Sequence, residues 1–162
     1  MDDDISALLR RLLAERPVAA LATLHRGEPA VSMVPFVLPA GDTRLLIHVS
    51  GLATHTRDML DHARVGLLVT AETGAASPQA LPRVSLQADA APLAREGAEY
   101  AAARAQYLAR FPDAAQTFEL GDFQLFALQP VSARLIAGFG RIHSLAGEAL
   151  HRWLRADRGA QA

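Results

Sequence analysis

RLLIHVSGLATHTRDMLDHARVGLLV, residues 44–69, places a strand, a turn, a helix and a second strand in direct succession. Arg44 to Val49 is an apolar run of strand character, and Ser50 to Thr54 is a turn made mostly of small residues. Thr54 to His62 reads as a short helix, and Val65 to Thr70 returns to strand. A strand that ends in such a turn and opens a helix leaves several backbone N–H groups without partners. Those groups and the helix dipole favour an anion. Thr54 and Thr56 add hydroxyls, while His55 and Arg57 add donor or cationic side chains. The segment is therefore a candidate phosphate cradle, with a capped surface helix between two strands as the purely structural alternative. It contains neither GxxxxGK[ST] nor GxGxxG, so it is not a P-loop or a dinucleotide fingerprint.

Upstream, Ile5, Leu8, Leu9, Leu12 and Leu13 follow helical spacing, with Asp2, Asp3 and Asp4 at the positive N-terminal end and Pro17 as the stop. Val18 to Leu24 predicts a first strand, His25 to Pro29 a polar turn, and Ala30 to Leu38 a second strand in which Pro35 marks an edge or bulge. Pro39 to Asp42 turns the chain into the central stretch. Short turns between consecutive strands indicate an antiparallel meander rather than a parallel doubly wound sheet.

Downstream, a Gly, Ala, Ser and Pro-rich loop spans Glu72 to Ala80, and Leu81 to Leu93 reads as a long strand. Glu96 to Arg110 predicts a helix, Phe123 to Leu128 a strand, and Arg134 to Phe139 another after a turn around Gln129-Pro130-Val131. Gly138 to Arg141 interrupts that last strand, and Glu148 to Arg155 predicts a helix carrying the sole Trp153. The expected architecture is α+β, about six antiparallel strands forming a β-barrel with peripheral helices. One domain is expected over residues 1–162, with its first helix in residues 1–16 and its last in residues 146–158.

Composition narrows the chemistry. Apolar residues make up 51% of the 162, enough for one core. With 16 basic residues against 17 acidic ones, nothing points to nucleic acid. All basic residues other than histidine are Arg, and Cys, Lys and Asn do not occur. A thiol nucleophile, a cysteine-based zinc site and a lysine Schiff base are thereby excluded. No apolar run reaches the ~18 residues of a membrane span, and the acidic start does not suit a signal peptide, so a soluble, cytoplasmic chain is expected.

Several segments, in this order, resemble the FMN-binding split-barrel family that includes pyridoxamine 5′-phosphate oxidase. They are PAVSMVPFVL (29–38), IHVSGLATHTRDMLDHARVGLLV (47–69) and RVSLQADAAPL (83–93). The ending, DFQLFALQP (122–130) with GFGRIHSL (138–145), is similar to the branch that holds the heme-utilisation split-barrel proteins. The likeness covers about Val18 to Leu145. It implies a six-stranded antiparallel split β-barrel and a homodimer with equivalent FMN sites at the interface. It assigns cofactor contacts to Ser32, Met33, Val34 and Pro35, to Val49 and Ser50, to Ala53, Thr54, His55, Thr56 and Arg57, and to Arg83. Where the oxidase carries a Ser-Arg-Lys run for the phosphate, this chain has Ala53-Thr54-His55, and so less fixed positive charge.

The residues also have structural readings. His55, Asp58 and His62 share helical spacing but do not complete a metal shell, and no metal is expected. Arg83 reads equally as an exposed strand residue, Phe139 as packing, Asp122 as a turn cap and His151 as a surface residue. In the heme-degrading branch an Asp at the place of Asp122 takes part in heme binding. Two functions are weighed. The first is an FMN flavoprotein, an oxidoreductase of unknown substrate and unknown catalytic residues, or a non-catalytic flavin-binding module. The alternative is heme binding and degradation, which needs an axial ligand and partners for two propionates. Heme-degrading relatives supply the ligand from a C-terminal tail, and the sequence after Trp153 contains no histidine. If Trp153 packs inward, His151, two positions away on the helix, is expected to face out.

Overall fold

In the computed structural model, which describes residues 1–72, 77–138 and 140–156, one antiparallel sheet curls around an apolar interior. Its strands are β1 (Val18–His25), β2 (Glu28–Pro35), β3 (Leu45–Ser50), β4 (Arg64–Thr70), β5 (Arg83–Pro92), β6 (Phe123–Ile136) and β7 (Ile142–Ala146). Six of them run in the order β2-β1-β4-β5-β6-β3, and β7 lies beyond β3 along the same side of β6. The chain is an α+β split barrel, as expected.

The split lies between the two ends of that path. Just past β2, Val37 and Leu46 exchange backbone hydrogen bonds of 2.9 and 2.7 Å, which closes the curl at one point. Among the described residues no further β2–β3 pairing occurs, so the two strand edges diverge towards Ser50. Pro29 and Pro35 both sit on β2, an edge strand, where a missing N–H costs least.

β3 is buried on both faces, which accounts for its unbroken apolar run. Leu45, Ile47 and Val49 enter the barrel core, together with Ile5, Leu9, Leu12 and Leu13 of α1 (Asp3–Glu15) and Leu150, Trp153 and Leu154 of α5 (Gly147–Arg155). Leu46 joins a second cluster with Ala103 and Tyr107 of α3 (Ala98–Arg110) and Phe118 of α4 (Ala115–Phe118). The central stretch continues into α2 (Thr54–Asp61), which packs on β1.

Two local expectations change. Gln129-Pro130-Val131 is not a turn: β6 runs straight through it. Gln87 pairs with Ser132 and Ala88 with Pro130, so Val131 is an extra, bulged residue that accommodates the proline without ending the strand. After β6 the chain pairs back on it antiparallel as β7, a strand not foreseen from sequence. Phe139, residues 73–76 of the Glu72–Ala80 loop and the last part of the tail lie outside the described residues.

Candidate functional site

The cradle between β3 and α2 is bound up with its own turn and with the start of β6. The Gly51 N–H donates to the Asp122 carbonyl at 2.6 Å, and the Ala53 N–H to the Ser50 carbonyl at 3.1 Å. The Leu52 N–H donates to Ser50 Oγ at 3.1 Å, while the Ser50 hydroxyl donates to Asp122 Oδ2 at 2.7 Å. Thr56 and Arg57 turn their N–H groups to the Ala53 carbonyl, and the Thr56 hydroxyl donates to the Ser50 carbonyl at 2.6 Å. Among the described residues, only the Thr54 and His55 N–H groups of this segment meet no acceptor. Arg57 donates to the Leu52 carbonyl at 2.8 Å. Burial lowers the His55 pKa, against the pull of Asp58, which favours neutral imidazole at pH 7. The expected fixed positive charge is therefore sparse, and the Asp122 carboxylate stands beside the turn.

Ser32 to Pro35 lie on β2 and Val49 to Ser50 on β3, the two strands at the ends of the sheet path, and Val49 to Ser50 run directly into the cradle segment. Their side chains differ in direction: Val34 is buried, Met33 faces out, and the buried Ser32 Oγ has no hydrogen-bond partner. Arg83 is not brought to them within one chain. It begins β5 opposite Thr70 and donates to the Gln79 and Leu81 carbonyls, both at 3.0 Å. That end of the barrel is opposite the one where His25 meets α2.

Two features went unnoticed in the sequence. The first joins β1 to α2. Asp58, 5% exposed, accepts from the Thr23 hydroxyl at 2.8 Å through Oδ2, and its Oδ1 lies 2.8 Å from His25 Nδ1. Burial pushes the Asp58 carboxyl up, but the His25 and Thr23 hydrogen bonds outweigh it and hold the pKa below the ordinary value. His25 was read as part of a turn. It closes β1 instead, because Arg26 and Gly27, both at positive φ, form a two-residue hairpin turn. The second is the outward face of the sheet, traced by the register pairs Val31↔Ala22, Met33↔Ala20, Ala20↔Leu68, Leu68↔Ser85, Ser85↔Arg134 and Arg134↔Ser144. Its β2-β1-β4 part is apolar, with Val31 74%, Met33 64%, Leu24 41% and Leu68 39% exposed. Its β5-β6-β7 part holds a groove of about 440 Å³ lined by Ser85, Gln87, Ser132, Arg134 and Ser144.

His151 is half-buried rather than outward-facing: its Nε2 lies 3.2 Å from the Pro130 carbonyl and from Gln129 Nε2. Trp153 is buried, and its indole N–H donates to Ser6 Oγ at 2.9 Å.

Fold and sequence together define the class: residues 5–137 match the family described as pyridoxamine 5′-phosphate oxidase, and the chain belongs to it. Within it, the chain is 28% identical over 154 residues to the heme oxygenase HutZ of Vibrio cholerae, covering 93% of this chain and 86% of that protein. It is 31% identical over 124 residues to the chloroplastic non-canonical heme oxygenase HOZ of Arabidopsis thaliana, matching 76% of this chain but only 36% of that one. Among solved structures, a heme binding protein from Mycobacterium smegmatis superposes with a TM-score of 0.82 at 31% identity, over 93% of this chain and 61% of that chain.

Proposed function

We propose that this protein binds heme, as a dimer that joins two copies through the outward sheet face, and that its reaction class is oxidative heme degradation. The observation that carries this reading is the state of the cradle. A phosphate needs converging donors and positive charge, whereas here most donors already serve Ser50, Ala53 and Asp122, and a carboxylate stands among them. The names of the relatives, heme oxygenases and a heme binding protein, support the same ranking. The donor set also suits heme: at the seam between two copies the apolar part of the outward face would cover porphyrin, and the exposed Arg141 would pair with a propionate. When bound, heme supplies an iron centre for dioxygen chemistry driven by an external electron donor. The protein's own part is to orient the ring, shield one face from water and fix the propionates.

FMN is the second reading, and the free Thr54 and His55 N–H groups at the start of α2 favour it. Titration of the purified protein with hemin, FMN and riboflavin separates the two. A saturable hemin complex with a shifted Soret band, and no preference for FMN over riboflavin, is the expected result. Tight FMN uptake that riboflavin cannot match, with only non-saturable hemin binding, overturns the ranking.

A further inference from the structure

We infer that the groove over β5, β6 and β7 is a carboxylate-binding site, with Arg134 as the charge partner and the Ser85 and Ser144 hydroxyls to either side of it. The inference deepens the heme reading above, on which the carboxylate is a porphyrin propionate, but the groove would take the same group from another flat organic acid.

Strand register puts the three residues in one row. Ser85 of β5 pairs with Arg134 of β6, and Arg134 with Ser144 of β7, so a serine stands about 5 Å to each side of the arginine position. Among the described residues the exposed Arg134 guanidinium makes no hydrogen bond or ion pair, and neither serine hydroxyl has a partner. One row along, the Ser132 hydroxyl donates to Gln87 Oε1 at 3.1 Å, which leaves the Gln87 amide N–H groups to donate elsewhere. No Asp or Glu lines the groove, and the next acid on β5, Asp89, is held by Arg64 at 2.7 and 3.2 Å. The lining therefore offers donors and one fixed positive charge. A guanidinium fork matches the two oxygens of a carboxylate, and its single charge balances that group but not a phosphate dianion.

The groove, about 440 Å³, has the size of a small-molecule site rather than of a bare ion. Its surroundings are apolar on one side. The same row continues from Ser85 to Leu68 of β4 and on to Ala20 of β1, so an apolar body over Leu68 would lie about 10 Å from Arg134, within the span of one ligand. A dimer through this face also requires a counter-charge. Two copies meeting there would take Arg134 out of water, and an unpaired buried guanidinium is costly. The groove, being concave, would remain as a cavity between them, and a carboxylate in it neutralises the arginine.

The test compares protoporphyrin IX with its dimethyl ester, which differs only at the carboxylates, and benzoate with benzyl alcohol. The proteins are the full chain, Arg134→Ala, Arg134→Lys and Arg11→Ala, a change on α1 away from the groove. Porphyrin binding is read by fluorescence and benzoate binding by saturation-transfer NMR. The wild type and Arg11→Ala should prefer each acid over its neutral counterpart by roughly tenfold or more. Arg134→Ala should bind acid and ester alike, and Arg134→Lys should keep part of the preference, because it retains the charge without the fork. Loss of the preference with ester binding unchanged is not an effect of unfolding. Circular dichroism checks each variant, and if Arg134→Ala unfolds, the double change Ser85→Ala with Ser144→Ala replaces it and should lower the preference partway. Arg134-dependent binding of the porphyrin acid without benzoate binding supports the site and identifies its group as a propionate. Arg134-dependent binding of benzoate without porphyrin binding overturns the heme reading and leaves the carboxylate site standing. A wild type without acid preference, or an acid preference undiminished in Arg134→Ala, overturns the site whether or not heme binds.

Discussion

His48 is a polar residue inside an aromatic cluster. Its ring stacks on Phe118 at 3.7 Å between centroids, Nδ1 meets the Thr117 hydroxyl at 3.2 Å, and the buried Nε2 has no partner. Burial, reinforced by Arg95 and Arg104, lowers its pKa from 6.5 to about 4. Above pH 6.5 the imidazole is neutral folded or unfolded, and this contribution to stability is complete. As the pH falls from 6.5 towards 4, the unfolded chain takes up a proton that the folded chain refuses, so stability drops across that window. The loss is at most about 3 kcal/mol. Denaturant titrations at pH 7, 6, 5 and 4 should show it, and His48→Leu should flatten that component. Gly51 makes a second residue-scale case. A Cβ there would lie 2.7 Å from the Asp122 carbonyl oxygen, a backbone atom that cannot swing aside. Gly51→Ala should therefore destabilise by about 1–3 kcal/mol, read as a lower thermal midpoint.

Between elements, a few polar contacts hold the helices on the barrel. Trp153 of α5 reaches Ser6 of α1, 147 residues away, and both lie in the barrel's apolar surroundings. Trp153→Phe keeps most of the packing and removes the N–H donor, so a loss of about 0.5–1.5 kcal/mol in chemical denaturation is expected. Arg110 of α3 donates to the Ala14 and Arg16 carbonyls and so satisfies the C-terminal end of α1. α2 depends on Asp58. Asp58→Ala leaves the Thr23 hydroxyl and the His25 ring without their acceptor, and faster amide hydrogen exchange confined to α2 and the β1–β2 hairpin is the expected sign.

For the whole molecule, the outward sheet face is the feature left uncovered. Val31, Met33, Leu24 and Leu68 form one apolar surface, and soluble monomers rarely carry a large contiguous patch of this kind. A two-fold pair would bury the same patch on both copies. Sedimentation at micromolar concentration should give a dimer, and Met33→Arg should shift it to monomer without unfolding. A wild-type monomer under those conditions would remove the dimer from the proposal.

What was legible in the sequence is what neighbouring residues determine. The apolar run of β3, the small-residue turn into α2 and the leucine spacing of α1 follow from local periodicity and capping. Together with the family likeness they sufficed for the split barrel. Tertiary structure decided the rest, because strand register and long-range contacts settle where side chains meet. β6 passes Pro130 because β5 pairs with it on both sides of a bulge. The Gly51 N–H and the Ser50 hydroxyl are taken up because Asp122 lies against Ser50 from 72 residues away. Arg83 stands at the far end of the barrel from α2 because of where β5 starts. The His25–Asp58 pair spans 33 residues and exists only because α2 folds back onto β1. Local sequence carries no record of such a contact, since the free energy that selects it comes from packing the barrel as a whole.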